Sequence, residues 1–193
     1  MAVLPESPYH PGRRSAALVC HPATGCQAAR TLEGWACLVD EHRLSVGFTL
    51  QGDLDRLAIP GPGAPQRTDR LWEHTCFEAF LAVPGEDTYW ELNLSPGTEW
   101  AAYRFPRYRE GGVPAPGLEP RIAVQRSPQR LDLQATAALD GLDTGRGLQI
   151  GLSAVIESRD GQLSYWALRH GPGRPDFHHR AGFALELRPG ARA

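Results

Sequence analysis

The chain has 193 residues, with 22 acidic and 20 basic side chains and a formal net charge of −2. All the basic residues are arginine, which excludes chemistry that needs lysine: a Schiff base, a P-loop phosphate contact or a lysine general base. The near-neutral charge predicts that neither nucleic acid nor an anionic membrane is a partner. The 21 glycines and 17 prolines predict many turns, and the length predicts one domain with a sizeable core.

The first 14 residues, MAVLPESPYHPGRR, form a predicted proline-rich N-terminal arm, and residues 15–193 a single predicted domain. The arm lacks the apolar run of a signal peptide. The cysteines, Cys20, Cys26, Cys37 and Cys76, have no C-x-x-C spacing, so neither a zinc site nor a thioredoxin-like site is expected. We therefore expect a cytoplasmic protein with reduced thiols.

From Ala16 onward the sequence is a series of short apolar runs separated by turn residues, without a helical period. This pattern is typical of an all-β antiparallel sandwich or barrel. Long loops rich in proline and glycine interrupt it at residues 59–66 and 111–120. The predicted strands are 16–21, 34–40, 43–51, 75–83, 88–95, 100–105, 121–126, 130–138, 148–157, 163–169 and 183–188.

The central strands can be paired in register. Loops of four residues, at 84–87 and 96–99, predict that Glu78 lies opposite Asn93 and that Glu91 lies opposite Arg104. Because side chains alternate across a strand, a core face is predicted, formed by Phe77, Ala79, Leu81, Trp90, Leu92, Leu94, Ala101, Tyr103 and Phe105. The other face is predicted to carry Glu78, Phe80, Tyr89, Glu91, Asn93, Ser95, Trp100, Ala102 and Arg104.

This second face combines carboxylates, an amide and a guanidinium with the aromatic rings of Phe80, Tyr89 and Trp100. Sugar sites use the same combination, since flat rings stack on a pyranose and planar polar groups bind its hydroxyls. The alternative interpretation is a solvated outer face, in which Glu91 and Arg104 form a cross-strand ion pair.

Three segments resemble bacterial DOMON-like proteins, which are similar in turn to family-9 carbohydrate-binding modules. They are residues 70–81 (RLWEHTCFEAFL), 89–96 (YWELNLSP) and 100–103 (WAAY). The resemblance covers residues 67–109 and is weaker over residues 151–187. It implies an immunoglobulin-like β-sandwich whose concave sheet holds a sugar or a haem b.

The resemblance also implies site residues. In family-9 modules two tryptophans enclose a sugar, and a glutamate on the strand after the first tryptophan holds its hydroxyls; Trp72 and Glu78 match that arrangement. Arg104 matches the family's arginine. Trp166 is the candidate second ring, although its predicted position opposite Val155 leaves a buried Trp166 as an open alternative. We therefore predict a non-catalytic carbohydrate-binding domain whose ligand contacts are Trp72, Glu78, Asn93, Arg104 and Trp166, with Tyr89, Glu91 and Trp100 as additional candidates.

Other functions stay open. Glu78 and Glu91 share a face and could act as an acid and base in glycoside hydrolysis, although Arg104 would keep Glu91 ionised. Asp176 and His178 lack a third ligand, so no metal is expected. A partner protein could instead cover the aromatic face.

No cofactor is the preferred prediction, with haem b as the alternative. A haem site would need two histidines, because Met1 is the only methionine and lysine is absent. The candidates are His74, His170, His178 and His179.

Overall fold

The computed structural model describes residues 12–25 and 27–188, so most of the predicted N-terminal arm lies outside the described residues. The described residues form twelve strands and four short 3-10 turns, and none of their helices is long and apolar enough to cross a membrane. The 3-10 turns are Leu54–Arg56, Leu71–Glu73, Thr144–Arg146 and Arg180–Gly182. The strands are β1 (Arg14–Cys20), β2 (Ala29–Asp40), β3 (Arg43–Gly52), β4 (Cys76–Ala82), β5 (Tyr89–Leu94), β6 (Trp100–Phe105), β7 (Val113–Pro114), β8 (Pro120–Arg126), β9 (Arg130–Ala138), β10 (Leu148–Glu157), β11 (Leu163–Ala167) and β12 (Leu185–Leu187).

The strands form two antiparallel sheets that share β1. Sheet I has the order β7-β6-β5-β4-β10-β11, with β12 beside the first residues of β10. Sheet II has the order β1-β2-β3-β9-β8. The first part of β1 pairs with β2, whereas Val19 and Cys20 pair with β11, so this strand joins the sheets. The predicted all-β antiparallel sandwich is confirmed.

The core lies between the two sheets. Phe48 of sheet II contacts Phe77 of sheet I, with ring centroids 5.0 Å apart. Gly34 of β2 faces Leu152 of β10 so closely that a Cβ at residue 34 would lie 2.9 Å from the Leu152 side chain. A glycine at this position therefore allows the sheets to approach, and the enclosed apolar side chains supply most of the stabilisation.

The outer face of sheet I is buried as well. Every residue of β4 and β5 is buried, although one face of each strand points away from sheet II. Residues 169–184 and the loop 106–112 cover this outer face. Its apolar part is a small separate cluster of Phe80, Ala82, Tyr89 and Phe183, with Phe105 and Phe177 packed against it.

Candidate functional site

A cavity of about 490 Å³ lies on the outer face of sheet I. Its volume is in the range of small-molecule binding sites. Strands β4, β5, β6, β10 and β11 contribute side chains to it, and so do the loops on either side. It is lined by Trp72, Glu78, Glu91, Tyr103, Phe105, Arg109, Gly112, Val155, Tyr165, Pro175, Phe177 and His178.

The hairpin of β4 and β5 has the predicted register. Glu78 pairs with Asn93, so Glu78, Glu91 and Asn93 share the outer face as expected. The Asn93 side-chain amide donates a hydrogen bond of 2.6 Å to Oε1 of Glu91. The Cys76 thiol in turn donates to Oδ1 of Asn93, at 3.7 Å. These two buried hydrogen bonds, from Cys76 to Asn93 and from Asn93 to Glu91, fix the orientation of the Glu91 carboxyl group.

The predicted register of β6 is wrong by one residue, because Glu91 pairs with Tyr103 and not with Arg104. The loop before β6 is Ser95–Glu99, whose ends are joined by a backbone hydrogen bond of 2.9 Å. Thr98 has a φ of 79°, in the left-handed region. A left-handed residue after a tight turn lengthens a hairpin loop by one residue. A slip of one residue moves every side chain of the strand to the opposite face.

Tyr103 and Phe105, predicted for the core, therefore line the cavity. Trp100, a predicted site residue, packs against the core instead. Arg104, the predicted cation of the site, is exposed and lies 5.9 Å from the ring centre of Trp90. It does not neighbour Glu91, so it cannot keep that carboxyl group ionised.

The hairpin of β10 and β11 has the same kind of loop, at residues 158–162, with a left-handed glycine at its fourth position. Trp166 consequently pairs with Ala154, not with Val155 as predicted. It is 7% exposed and belongs to the core cluster, so the open alternative of a buried Trp166 is correct and it is not the second ring of the site. Tyr165, which pairs with Val155, lines the cavity instead.

Trp72 lies at the mouth of the cavity, in the turn Leu71–Glu73 that precedes β4, and is 40% exposed. Its ring meets the ring of Tyr103 edge-on, with centroids 6.1 Å apart. The Tyr103 hydroxyl donates to Asp69, which also pairs with Arg67 at 2.7 Å. Trp72 and Tyr103 thus form an aromatic corner whose tyrosine is held in place.

The predicted candidate Tyr89 is fully buried and supports the cavity from behind. Its hydroxyl accepts the backbone N–H of Arg109 at 3.1 Å and lies 2.7 Å from Nδ1 of His178. Burial, together with the charge of Arg109, lowers the pKa of His178 to about 4, so this imidazole is neutral at pH 7. Nε2 of the same ring faces Glu91, 3.7 Å from Oε2.

Asp176 joins the two loops that cover sheet I. Its carboxylate accepts two hydrogen bonds from the Arg109 guanidinium, at 2.7 and 3.1 Å, and one from the Tyr108 hydroxyl. It also accepts the backbone N–H of His178 at 3.1 Å. Burial opposes ionisation, but these donors hold the pKa of Asp176 below its ordinary value. Asp176 therefore positions both Arg109 and His178 at the cavity.

The pKa values of the two glutamates of the cavity are both raised. Burial, and then the charge of Glu91, raises the pKa of Glu78 well above its ordinary value, with partial compensation from Arg109. Burial also raises the pKa of Glu91, against the hydrogen bond from Asn93 and the charge of Arg109. Ser153 lies opposite Glu78 on β10, and its buried hydroxyl partly offsets the rise in the pKa of Glu78. Such burial of polar groups is unfavourable for folding.

The histidines considered for haem do not form a pair in the cavity. Among His74, His170, His178 and His179, only His178 lines it. His74 bonds Glu157 at 2.8 Å, and His170 bonds the carbonyl of Val19 at 2.8 Å. The described residues therefore do not fit a haem held by two histidines at this place.

Sequence reasoning missed the residues that reach the cavity from loops or from shifted strands. Tyr103 and Tyr165 were not predicted because each hairpin loop shifts the register of the strand that follows it by one residue. In the β10–β11 hairpin, the Asp160-Gly161 pair was a sequence signal of a loop with a left-handed glycine. Arg109 and His178 come from irregular loops, where no side-chain periodicity predicts direction.

No family model and no curated protein matches the chain. Solved structures do share its fold. A protein from Bacteroides uniformis ATCC 8492, provisionally assigned as carbohydrate-binding, has a TM-score of 0.58 and 14% identity over 89% of this chain and 84% of that chain. A family-9 carbohydrate-binding module from Caldicellulosiruptor kristjanssonii, in complex with glucose, has a TM-score of 0.54 and 11% identity over 89% and 81%.

The same type of module from Caldicellulosiruptor kristjanssonii in complex with cellotriose has a TM-score of 0.52 and 10% identity, over 88% of this chain and 85% of that chain. At such identities the likeness shows a shared fold and nothing finer. The predicted similarity to family-9 carbohydrate-binding modules is therefore confirmed at the level of the fold.

Proposed function

We propose that this protein is a non-catalytic carbohydrate-binding domain, and that the sugar binds in the cavity on the outer face of sheet I. One observation carries the proposal. A single cavity of about 490 Å³ combines an exposed aromatic corner, Trp72 and Tyr103, with two buried carboxyl groups, Glu78 and Glu91.

These two kinds of group suit the two kinds of surface that a pyranose presents. The flat rings of Trp72 and Tyr103 can pack on the apolar C–H face of a sugar, and Tyr165 offers a third ring. The carboxyl groups of Glu78 and Glu91 and the guanidinium of Arg109 can bind the hydroxyls. The apolar walls and few polar groups are typical of a small-molecule site.

The shared fold supports the choice of a carbohydrate. Two of the structures with this fold are family-9 modules that were solved with glucose and with cellotriose. The same sandwich can therefore hold sugars in other proteins, and the aromatic and carboxyl groups described here supply the chemistry that a sugar needs.

The pKa values of the two glutamates are shifted in the same direction, which favours binding over catalysis. Glycoside hydrolysis by a carboxyl pair needs one protonated acid and one ionised carboxylate. Burial raises the pKa of both Glu78 and Glu91, and the described structure gives neither an arginine partner. We accordingly expect no hydrolysis of aryl glycosides by the purified protein.

Isothermal titration calorimetry against a panel of mono- and oligosaccharides tests the proposal. We expect at least one saccharide to bind, and Trp72→Ala to weaken that binding roughly tenfold or more through loss of the stacked ring. Trp35→Ala is the matched control, because Trp35 lies on sheet II and packs over Gly47, away from the cavity. Absence of binding across the panel, or an equal loss in both variants, would contradict the proposal.

A further inference from the structure

The arginines around the cavity are already paired. Each forms an ion pair of 2.7 Å or shorter with a carboxylate of its own: Arg67 with Asp69, Arg70 with Glu73, and Arg109 with Asp176. Their positive charges are therefore largely balanced before any ligand enters the cavity.

Glu78 and Glu91 have no such partner. Within the described residues neither of them forms an ion pair with an arginine, and the nearest basic group to Glu91 is His178, at 3.7 Å. Because the pKa of His178 is lowered to about 4, this imidazole is uncharged at pH 7 and gives the carboxyl group no positive partner. Among the described residues, the two carboxyl groups of this cavity are thus influenced by the charge of Arg109, which Asp176 already pairs, and neither has a cation in direct contact.

The surroundings of the carboxyl groups also suit a positive charge. The rings of Trp72, Tyr103 and Tyr165 line the same cavity, and the faces of aromatic rings attract cations.

We propose that the sugar bound in this cavity carries a protonated amine, and that its ammonium group lies between Glu78 and Glu91. An amino sugar with a free amine, such as glucosamine, is the corresponding class of ligand. The inference rests on the proposed function, because it names the kind of carbohydrate that the same site takes.

Binding of an ammonium group would also move protons. Burial raises the pKa of both carboxyl groups in the empty cavity, and a bound cation lowers it, so we expect binding to release protons to the buffer. The titratable and charged groups that interact with Glu78 and Glu91 are Cys76, Tyr89, Tyr103, Arg109 and His178. A neutral sugar brings no positive charge that would lower these pKa values, so we expect no such proton release with it.

Calorimetric titrations with glucosamine, glucose and N-acetylglucosamine at one pH test the inference. Because hydrogen bonds to charged groups are stronger than neutral ones, glucosamine should bind roughly tenfold tighter than glucose. N-acetylation removes the charge, so N-acetylglucosamine should lose this advantage. Repeating the glucosamine titration in buffers of different ionisation enthalpy should reveal proton release.

Variants show whether the carboxyl groups cause the preference. Glu78→Gln and Glu91→Gln each conserve shape and should bring the ratio of glucosamine to glucose affinity towards one. Arg104→Ala is the control, because Arg104 is exposed on the other side of β6 and should keep the wild-type ratio.

The outcomes separate this inference from the proposed function. Equal affinities for glucose and glucosamine would contradict the proposed preference for a protonated amine, while the proposed carbohydrate binding would still stand. An amine preference that persists in both glutamine variants also overturns the inference. If none of the saccharides binds, the proposed function fails and the inference fails with it.

Discussion

Strands β4 and β5 bury both of their faces, and the two faces differ in chemistry. The inner face is apolar and packs on sheet II, as in the contact of Phe77 with Phe48. The outer face is equally buried but contains Glu78, Glu91 and Asn93. These residues alternate along the same strands, so local backbone geometry cannot explain the difference.

The inner face is the one that stabilises the folded state. Burial of apolar side chains on the inner face stabilises the sandwich. Burial of two carboxyl groups on the outer face destabilises it, because both give up hydration without a basic partner. Groups that are buried at the expense of stability are typical of functional sites, so the outer face is the functional one of the two.

The largest effect is expected on the inner face. Phe77→Ala removes a fully buried ring between the sheets and should lower the free energy of unfolding by roughly 3–5 kcal/mol. Urea denaturation measures this loss. Trp72→Ala, at the exposed mouth of the cavity, should change stability by only about 0.5 kcal/mol. Similar losses in the two variants would remove the distinction between the faces.

The next effect separates two arginines. Arg109→Ala should weaken saccharide binding by roughly tenfold, through the loss of a charged hydrogen-bond donor in the cavity. Arg104→Ala should leave affinity unchanged, because Arg104 lies on the other side of sheet I. Titration calorimetry compares the variants. A loss in Arg104→Ala with full affinity in Arg109→Ala would restore the predicted register and contradict the observed one.

A smaller effect concerns pH and Glu78. Because its pKa is raised in the folded protein, the folded state keeps a proton that the unfolded state has lost, and stability falls as pH rises above the ordinary glutamate value of about 4.3. Glu78→Gln removes this penalty. The variant should therefore gain a few degrees in Tm over the wild type at pH 8, and little at pH 4.

Thermal unfolding of both proteins across this range measures the difference. His178, with a pKa of about 4, titrates in both proteins, so the difference reports Glu78 together with its interaction with Glu91. A gap in Tm that does not widen with pH would show that Glu78 is not held protonated.

The smallest effect is expected at the loop anchor. Asp176→Asn removes a partly exposed ion pair, so stability should change by less than about 1 kcal/mol. Affinity should fall a few-fold, because Arg109 loses the group that orients it. Asp132→Asn is the matched control, since Asp132 pairs with Arg130 at 2.6 Å on sheet II. Calorimetry should detect a loss only in the first variant.

Much of the fold was predictable because alternation and turn residues are local signals. Eleven of the strands were predicted, and β6, β9 and β10 have the predicted bounds. The exception is β7, which has two residues and lies in a predicted loop. Glu78 and Asn93 were placed correctly because the loop between β4 and β5 introduces no shift in the register of the two strands.

The candidate site was less predictable for a physical reason. The left-handed conformation of Thr98 sets the register of β6, and this register places Tyr103 and not Arg104 on the outer face. A threonine rarely adopts this conformation, so the sequence did not indicate it. Asp176 and His178 belong to a loop whose course depends on tertiary contacts with Arg109. Sequence therefore indicated the floor of the cavity and only one of its aromatic walls, Trp72.

The position of the sugar is tested most directly through the indole N–H signals of the five tryptophans. Nitrogen-15 NMR of tryptophan-labelled protein, assigned with single variants, follows each ring as a binding saccharide is added. We predict that the Trp72 signal shifts progressively while those of Trp166, in the core, and Trp35, on sheet II, stay in place. A saccharide that binds while the Trp72 signal remains unchanged would contradict a sugar site on the outer face of sheet I.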